Sequence, residues 1–106
     1  MALEDSKSID AIGIDNEKNC VTLALIDSHD WINEEQHLLL LQEKLNTYLS
    51  FIESGEIYSS YKGAEGREIE ISIHFKYDIS ENCTAFLDNV QETIRNAGFI
   101  FNYRIG

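Results

Sequence analysis

Residues 67–77 read REIEISIHFKY and decide the fold class. In this stretch a large apolar side chain occupies every second position: Ile69, Ile71, Ile73, Phe75 and Tyr77. This period predicts a β-strand with one face on a core and the other in water. The register is well defined, because a slip of one residue would expose all five apolar groups and bury charge in their place.

The residues before this strand predict a hairpin and a long helix. Two short apolar runs, residues 9–14 and 20–26, flank the polar loop DNEKN and indicate a hairpin. The helix starts at Asn33, an N-cap with Gln36 completing a capping box, and ends at Gly55 as a left-handed C′ residue. Its core-facing stripe consists of Leu38, Leu41, Leu45, Tyr48, Leu49 and Ile52.

Three further elements are predicted. Residues 56–61 form a short edge strand that leads into the alternating strand. Ser80 caps a second helix, which ends at Gly98 and has the inner positions Cys83, Phe86, Leu87, Val90, Ile94 and Ala97. Residues 99–105 alternate again and form the last strand.

The order ββαββαβ predicts an α+β fold related to ferredoxin-like domains. We expect a two-layer sandwich, in which a four- or five-stranded, mainly antiparallel sheet carries two helices on one face. The strand order is left open, because the first strand of a ferredoxin-like unit has both edges occupied and yet would also have to pair in the N-terminal hairpin.

The length and composition indicate one globular domain. With 106 residues, 43% of them hydrophobic, the chain buries enough surface to fold without disulfides. We expect residues 1–8 to be flexible and residues 9–106 to form the domain. Cys20 and Cys83 lie in separate apolar stretches, which predicts buried free thiols.

The chain is strongly acidic, with 19 acidic and 8 basic residues and a net charge of −11. Ten of the acids and only two of the bases lie within residues 1–43. This balance argues against nucleic acid and anionic membrane as partners, since both are recognised through clustered lysine and arginine. The acidity favours either solubility alone or attraction of a basic protein. Residues 1–8 lack the pattern of a signal peptide, which predicts a cytoplasmic protein.

The densest polar cluster lies before and within the first helical turn. Asp27, His29, Asp30 and His37 have the chemistry to ligate a divalent metal, but their spacing matches no known metal motif. Capping and solvated charge explain the cluster equally well. We therefore predict no metal and no other cofactor, and we keep these four residues as a weak metal candidate.

The polar face of the long strand is a second candidate site. It carries Glu68, Glu70, His74 and Lys76. These side chains are either simply solvated or form the floor of a ligand-binding face.

The first helix is apolar over more than half of its girth. Leu39, Leu40 and Phe51 fall outside the core-facing stripe, so either the domain or another chain covers them. Trp31 precedes the helix, where it either staples the entering chain or anchors an interface. Together with Glu34 and Glu35, these residues form the predicted interaction surface.

Four segments resemble a known family: IDAIGID, DSHDW, EEQHLLLLQEKLNTYLSFIESGEI and GREIEISIHFKY. They are similar to a family of small, uncharacterised bacterial domains of about this length. The resemblance covers nearly the whole chain from Ile9. It implies a bacterial cytoplasmic source and an unknown function, and it supplies no catalytic residue.

These observations rank three classes of function. The first is a non-catalytic protein-interaction domain with an acidic surface, binding another protein or a second copy of itself; a narrower version is an immunity-like protein that neutralises a basic toxin. The second is a module for a small ligand or metal. An enzyme comes third, because the sequence contains no nucleophile-and-base motif and no phosphate-binding loop.

Overall fold

The computed structural model of the chain describes residues 8–106. The flexibility predicted for residues 1–8 therefore falls, except for Ser8, outside the described residues. The strands are β1 (Ala11–Asp15), β2 (Cys20–Asp27), β3 (Glu68–Phe75) and β4 (Ile100–Ile105). The helices are α1 (Glu34–Glu53), α2 (Glu56–Ser60), a 3₁₀ turn (Lys62–Ala64) and α3 (Glu81–Asn96).

The four strands form one mixed sheet in the order β1-β2-β3-β4. β1 pairs antiparallel with β2, whereas β2–β3 and β3–β4 are parallel pairs. Leu23, Ile71 and Phe101 lie side by side across the three parallel strands. The prediction of an α+β fold is confirmed, but the mainly antiparallel character and the ββαββαβ order are wrong.

A single element accounts for this difference. Residues 56–61 were predicted as an edge strand, but Glu56–Ser60 is the short helix α2. Its Ile57 is completely buried in the core. α1 returns the chain to the end of the sheet at which β2 began, and α2 does not cross the sheet again. β3 must therefore run parallel to β2, whereas a true strand here would have reversed its direction.

The sequence correctly predicted the hairpin loop and the glycines that follow the two long helices. The hairpin loop closes where expected, with Asn19 at φ 53° and the Asp15 carboxylate accepting bonds from the backbone N–H groups of Glu17 and Lys18. Gly55 and Gly98 follow the two long helices with φ of 81° and 92°, the left-handed conformation that glycine adopts without strain.

One apolar core lies between the sheet and the helices. The core combines the inward residues of β2, β3 and β4 with the predicted α1 stripe and with Cys83, Leu87 and Ile94 of α3. α1 and α3 therefore cover the same face of the sheet. This agrees with the right-handed connection that parallel strands almost always have.

The other face of β3 is less exposed than its sequence predicts. Glu70 and Ser72 are only 5% and 7% exposed. The cause is that β3 is a central strand, flanked by β2 and β4, so that neighbouring side chains cover its polar residues. The alternating pattern of β3 correctly assigns its residues to two faces, but it does not show whether the polar face is exposed to solvent.

Candidate functional site

Part of the apolar surface of α1 that lies outside its core-facing stripe is exposed to solvent. Leu39 is 56% exposed, while Leu40 and Phe51 are half-buried against the core. Ile32, just before the helix, is 89% exposed and was not predicted as part of the surface. Among the four predicted apolar interaction residues, Leu39 is the most accessible to a partner.

The exposed side of α1 borders a groove shared with α3. Two adjacent depressions of about 350 and 360 Å³ lie along it and share Gln42 and Phe86. We call this feature the α1–α3 groove and define it by Leu38, Leu39, Gln42, Leu49, Phe86 and Val90. Sequence reasoning placed Phe86 and Val90 in the core, but both are only partly buried.

A polar contact joins the two helices where they begin. Asn82 donates a side-chain hydrogen bond to Glu34, at 3.2 Å. Hydrogen bonds from Ser80 and Asn82 lower the pKa of the Glu34 carboxyl, which is partly exposed to solvent. Glu34 is therefore ionised at neutral pH and marks one end of the groove with negative charge.

The two helices that form the groove are predominantly acidic, and Glu35 lies in the lining of the groove itself. α1 and α3 together carry seven acidic residues, Glu34, Glu35, Glu43, Glu53, Glu81, Asp88 and Glu92, and the two basic residues Lys44 and Arg95. Lys44 is completely buried, and its Nζ lies 2.8 Å from Asp10 Oδ1. On these two helices only Arg95 therefore presents an exposed basic group.

The burial of Lys44 is a feature that the sequence did not suggest. Besides Asp10, its ammonium group donates to Ser8 Oγ at 3.3 Å. Tyr48, one turn further along α1, donates its hydroxyl to Ala24 O and accepts from Asp10 N. These bonds attach the chain before β1 to α1. The only available sequence signal was that Lys44 and Tyr48 share a helix face.

The predicted cluster before α1 contains a buried histidine–carboxylate pair. His37 Nε2 is hydrogen-bonded to Asp27 Oδ2, and His37 Nδ1 lies 3.0 Å from the carbonyl oxygen of Asp30. The Trp31 ring stacks on His37 with its centroid 3.7 Å away. Trp31 therefore packs on the first turn of α1, but from N″; the N′ position of a hydrophobic staple belongs to Ile32, which is exposed.

The arrangement of this cluster does not favour a metal. Both ring nitrogens of His37 already have oxygen partners, so neither has a lone pair directed at an open position. Within residues 8–106, no group of three or more histidine, cysteine or carboxylate side chains is arranged to hold a metal ion. Beside the cluster is an open depression of about 550 Å³, lined by His29, Asp30, Gln36 and Leu40 among others.

The open face of the sheet is a self-contained polar network. Glu70 accepts bonds from Thr22 Oγ1, at 2.7 Å, and from Asn102 Nδ2. His74 accepts a bond from Arg104, at 3.4 Å; desolvation, and then the charge of Arg104, lower the pKa of its imidazole. Glu68, the first residue of β3, and Lys76, which follows its last residue, are exposed. The structure thus brings His74 and Glu70 to one face but engages both with neighbouring strands.

Comparison with known proteins gives a match at the level of a family. The model of a family of unknown function, DUF6572, matches residues 1–106. No curated protein and no solved structure matches the chain. None of the helices within residues 8–106 is long and apolar enough to span a membrane.

Proposed function

Because the chain belongs to the DUF6572 family, for which no function is assigned, we propose a function from its geometry. The protein is a non-catalytic interaction domain that binds another protein through the α1–α3 groove and the exposed apolar residues beside it. The observation that carries this proposal is the exposure of Leu39 at the edge of a groove with an apolar floor.

The physical argument is the cost of leaving this surface in water. Burying a leucine side chain contributes about 1.5–3 kcal/mol. Leu39, which is 56% exposed, obtains only part of this within its own chain, whereas Leu41 and Leu45 on the same helix are almost entirely buried. Apolar groups in a concave site with a polar rim are typical of interface centres.

The acidic rim fits the same function. Charges at the edge of an interface add little affinity but accelerate encounter with a partner of opposite sign and repel others. Glu34 and Glu35 lie at the start of α1, beside Leu38 and Leu39. The net charge of the chain, −11, favours a basic partner.

Site-specific photo-crosslinking tests the groove as a contact surface. A photoreactive phenylalanine analogue replaces Leu39 in one variant and Ile26 in a matched control. Ile26 is 40% exposed but lies on the opposite face of the molecule, on β2. The variants are irradiated in a lysate of the source cells, and their adducts are identified by mass spectrometry.

We expect one discrete adduct from position 39 that position 26 does not give. Equal adducts from both positions, or none from position 39, would contradict the proposal. Light scattering on the purified chain shows whether the partner is a second copy, because a stable dimer has twice the mass of one chain.

A further inference from the structure

We infer that the occupant of the α1–α3 groove is a cationic amphipathic helix supplied by a partner protein. This inference rests on the proposed function and adds the conformation and charge of the partner. Three observations carry it: the backbone that forms the walls of the groove, the spacing of its two depressions, and the distribution of charge on α1 and α3.

The walls of the groove favour a helical occupant over an extended one. Both walls are α-helices, whose backbone N–H and C=O groups are already bonded along each helix. An extended peptide would lose its hydration here without the continuous row of main-chain partners that a sheet edge supplies. A helix has no such loss, because its own backbone groups are internally satisfied.

The two depressions set the spacing of the anchoring side chains. On α1, one depression is bounded by Glu35, Leu38, Leu39 and Gln42, and the other by Gln42, Asn46 and Leu49. Their centres are thus about seven residues, or roughly 10 Å, apart along α1. A helix lying along the groove places side chains i and i+7 at the same distance. We therefore expect two apolar anchors, two turns apart, on the partner.

The charges determine the sign of the partner. Glu35 borders the first depression, and Glu53 lies four residues beyond Leu49 on the same side of α1. Lys44 does not offset them, because it is buried against Asp10. A second copy of this chain would bring its own acidic helices to the groove and be repelled. Lysine and arginine beside the apolar anchors of a different protein would be attracted.

A displayed library of random 18-residue peptides tests the inference on the full chain. Peptides are selected on the wild-type protein, and their affinities are then compared with those for Leu39→Gln and the matched control Ile26→Gln. Both substitutions replace an exposed apolar side chain, one in the groove and one on the opposite face. Circular dichroism verifies that both variants fold.

We expect enriched peptides to be cationic and to carry apolar residues at i, i+3 or i+4, and i+7. Leu39→Gln should weaken their binding about tenfold, as expected for an apolar anchor of an interface, and Ile26→Gln should leave it unchanged. The double variant Glu35→Lys/Glu53→Lys should weaken binding at low salt, and this loss should shrink at high salt. Glu68→Lys, on the open face of the sheet, is the charge control.

Other outcomes overturn the inference in distinguishable ways. Acidic or uncharged helices that are sensitive to Leu39→Gln would refute the cationic partner but leave the groove as a binding surface. Peptides that bind Leu39→Gln as tightly as wild type would refute the groove itself and, together with failure of the crosslink at position 39, the proposed function. A dimer that Leu39→Gln dissociates would replace the foreign helix with a second copy.

Discussion

His37 forms a buried hydrogen bond with Asp27 that the sequence did not predict. The carbonyl oxygen of Asp30 can only accept a hydrogen bond, so His37 Nδ1, 3.0 Å away, must carry a proton. The other nitrogen, Nε2, is hydrogen-bonded to the carboxylate of Asp27. Both side chains are almost fully buried. Breaking this pair leaves an uncompensated polar group in the core.

Replacing Asp27 by alanine tests this energetic role. We expect Asp27→Ala to lower the free energy of unfolding by about 3–5 kcal/mol, the usual effect of removing one partner of a buried pair. Urea denaturation followed by circular dichroism measures the change.

Asp30→Ala is the matched control for that measurement. The Asp30 side chain is exposed and accepts one bond, from the backbone N–H of Ile32 at 3.2 Å. Its removal should cost less than about 1 kcal/mol, as for a weak exposed contact. Equal losses for the two variants would show that the Asp27–His37 pair does not contribute specifically.

The raised pKa of the buried Cys83 thiol makes the stability of the protein depend on pH. Burial, and then the nearby charges of Asp27 and Glu34, raise the pKa of its thiol to about 12. In the unfolded chain a cysteine loses its proton at a pKa of about 8.5. Above that pH the folded state binds more protons than the unfolded state, so stability must fall as pH rises. Burial raises the pKa of the Tyr48 hydroxyl as well, with the same sign.

We therefore expect the urea midpoint to be lower at pH 10.5 than at pH 8, and Cys83→Ala to reduce this difference. The buried thiols of Cys20 and Cys83 should also react with a disulfide reagent only after unfolding. Rapid labelling of the native protein at pH 8, or an unchanged midpoint at pH 10.5, would contradict the expectation.

At the scale of elements, the two long helices begin differently. The Ser80 hydroxyl accepts a bond from Cys83 N at 3.1 Å, whereas Asn33 makes no side-chain capping bond. The sequence predicted both residues as caps, because serine and asparagine share the required chemistry. Only the chain's path determines whether the oxygen reaches the first turn, and α1 is held instead by the Trp31–His37 stack.

Alanine substitution distinguishes these two starts. Ser80→Ala should lower the free energy of unfolding by about 1 kcal/mol, whereas Asn33→Ala should cost less than about 0.5 kcal/mol. Urea denaturation of both variants under one condition provides the comparison. A larger loss for Asn33→Ala would mean that its side chain does cap α1 in solution.

The short helix α2 shows where local preference is insufficient. Residues 56–61 contain β-branched and aromatic residues that favour a strand. Burial of Ile57 in the core and the left-handed turn at Gly55 favour a helix instead. These terms depend on contacts with distant residues. The element type was therefore predictable for the long periodic segments, but not for this one.

At the scale of the whole molecule, charge opposes compactness. A net charge of −11 repels itself in the folded state, and salt screens this repulsion. The Debye length falls from about 30 Å at 0.01 M salt to about 10 Å at 0.1 M. We expect the free energy of unfolding to rise when NaCl is raised over that range.

The same measurement with KCl is the control, since screening depends on ionic strength and not on the identity of the cation. A stability that falls with salt would show that attractive pairs such as Lys44–Asp10 outweigh the general repulsion. A response to one cation only would indicate specific binding of that ion.

The periodic segments determine their own structure because their signals are local. Alternation in residues 67–77, the apolar stripe of α1 and the glycines after each long helix predicted these elements, since each depends on neighbours a few residues away. Leu39, the proposed interaction residue, was found in the same way, as an apolar group outside the stripe.

Other features were decided only by the tertiary structure. The parallel pairing of β2, β3 and β4 follows from where the chain re-enters the sheet after α2. The burial of Glu70, His37 and Lys44, and the groove between α1 and α3, arise from contacts between residues far apart in the chain. Hydrophobic periodicity shows which side of an element faces inward, but the packing partner determines which polar groups are buried and which apolar groups stay exposed.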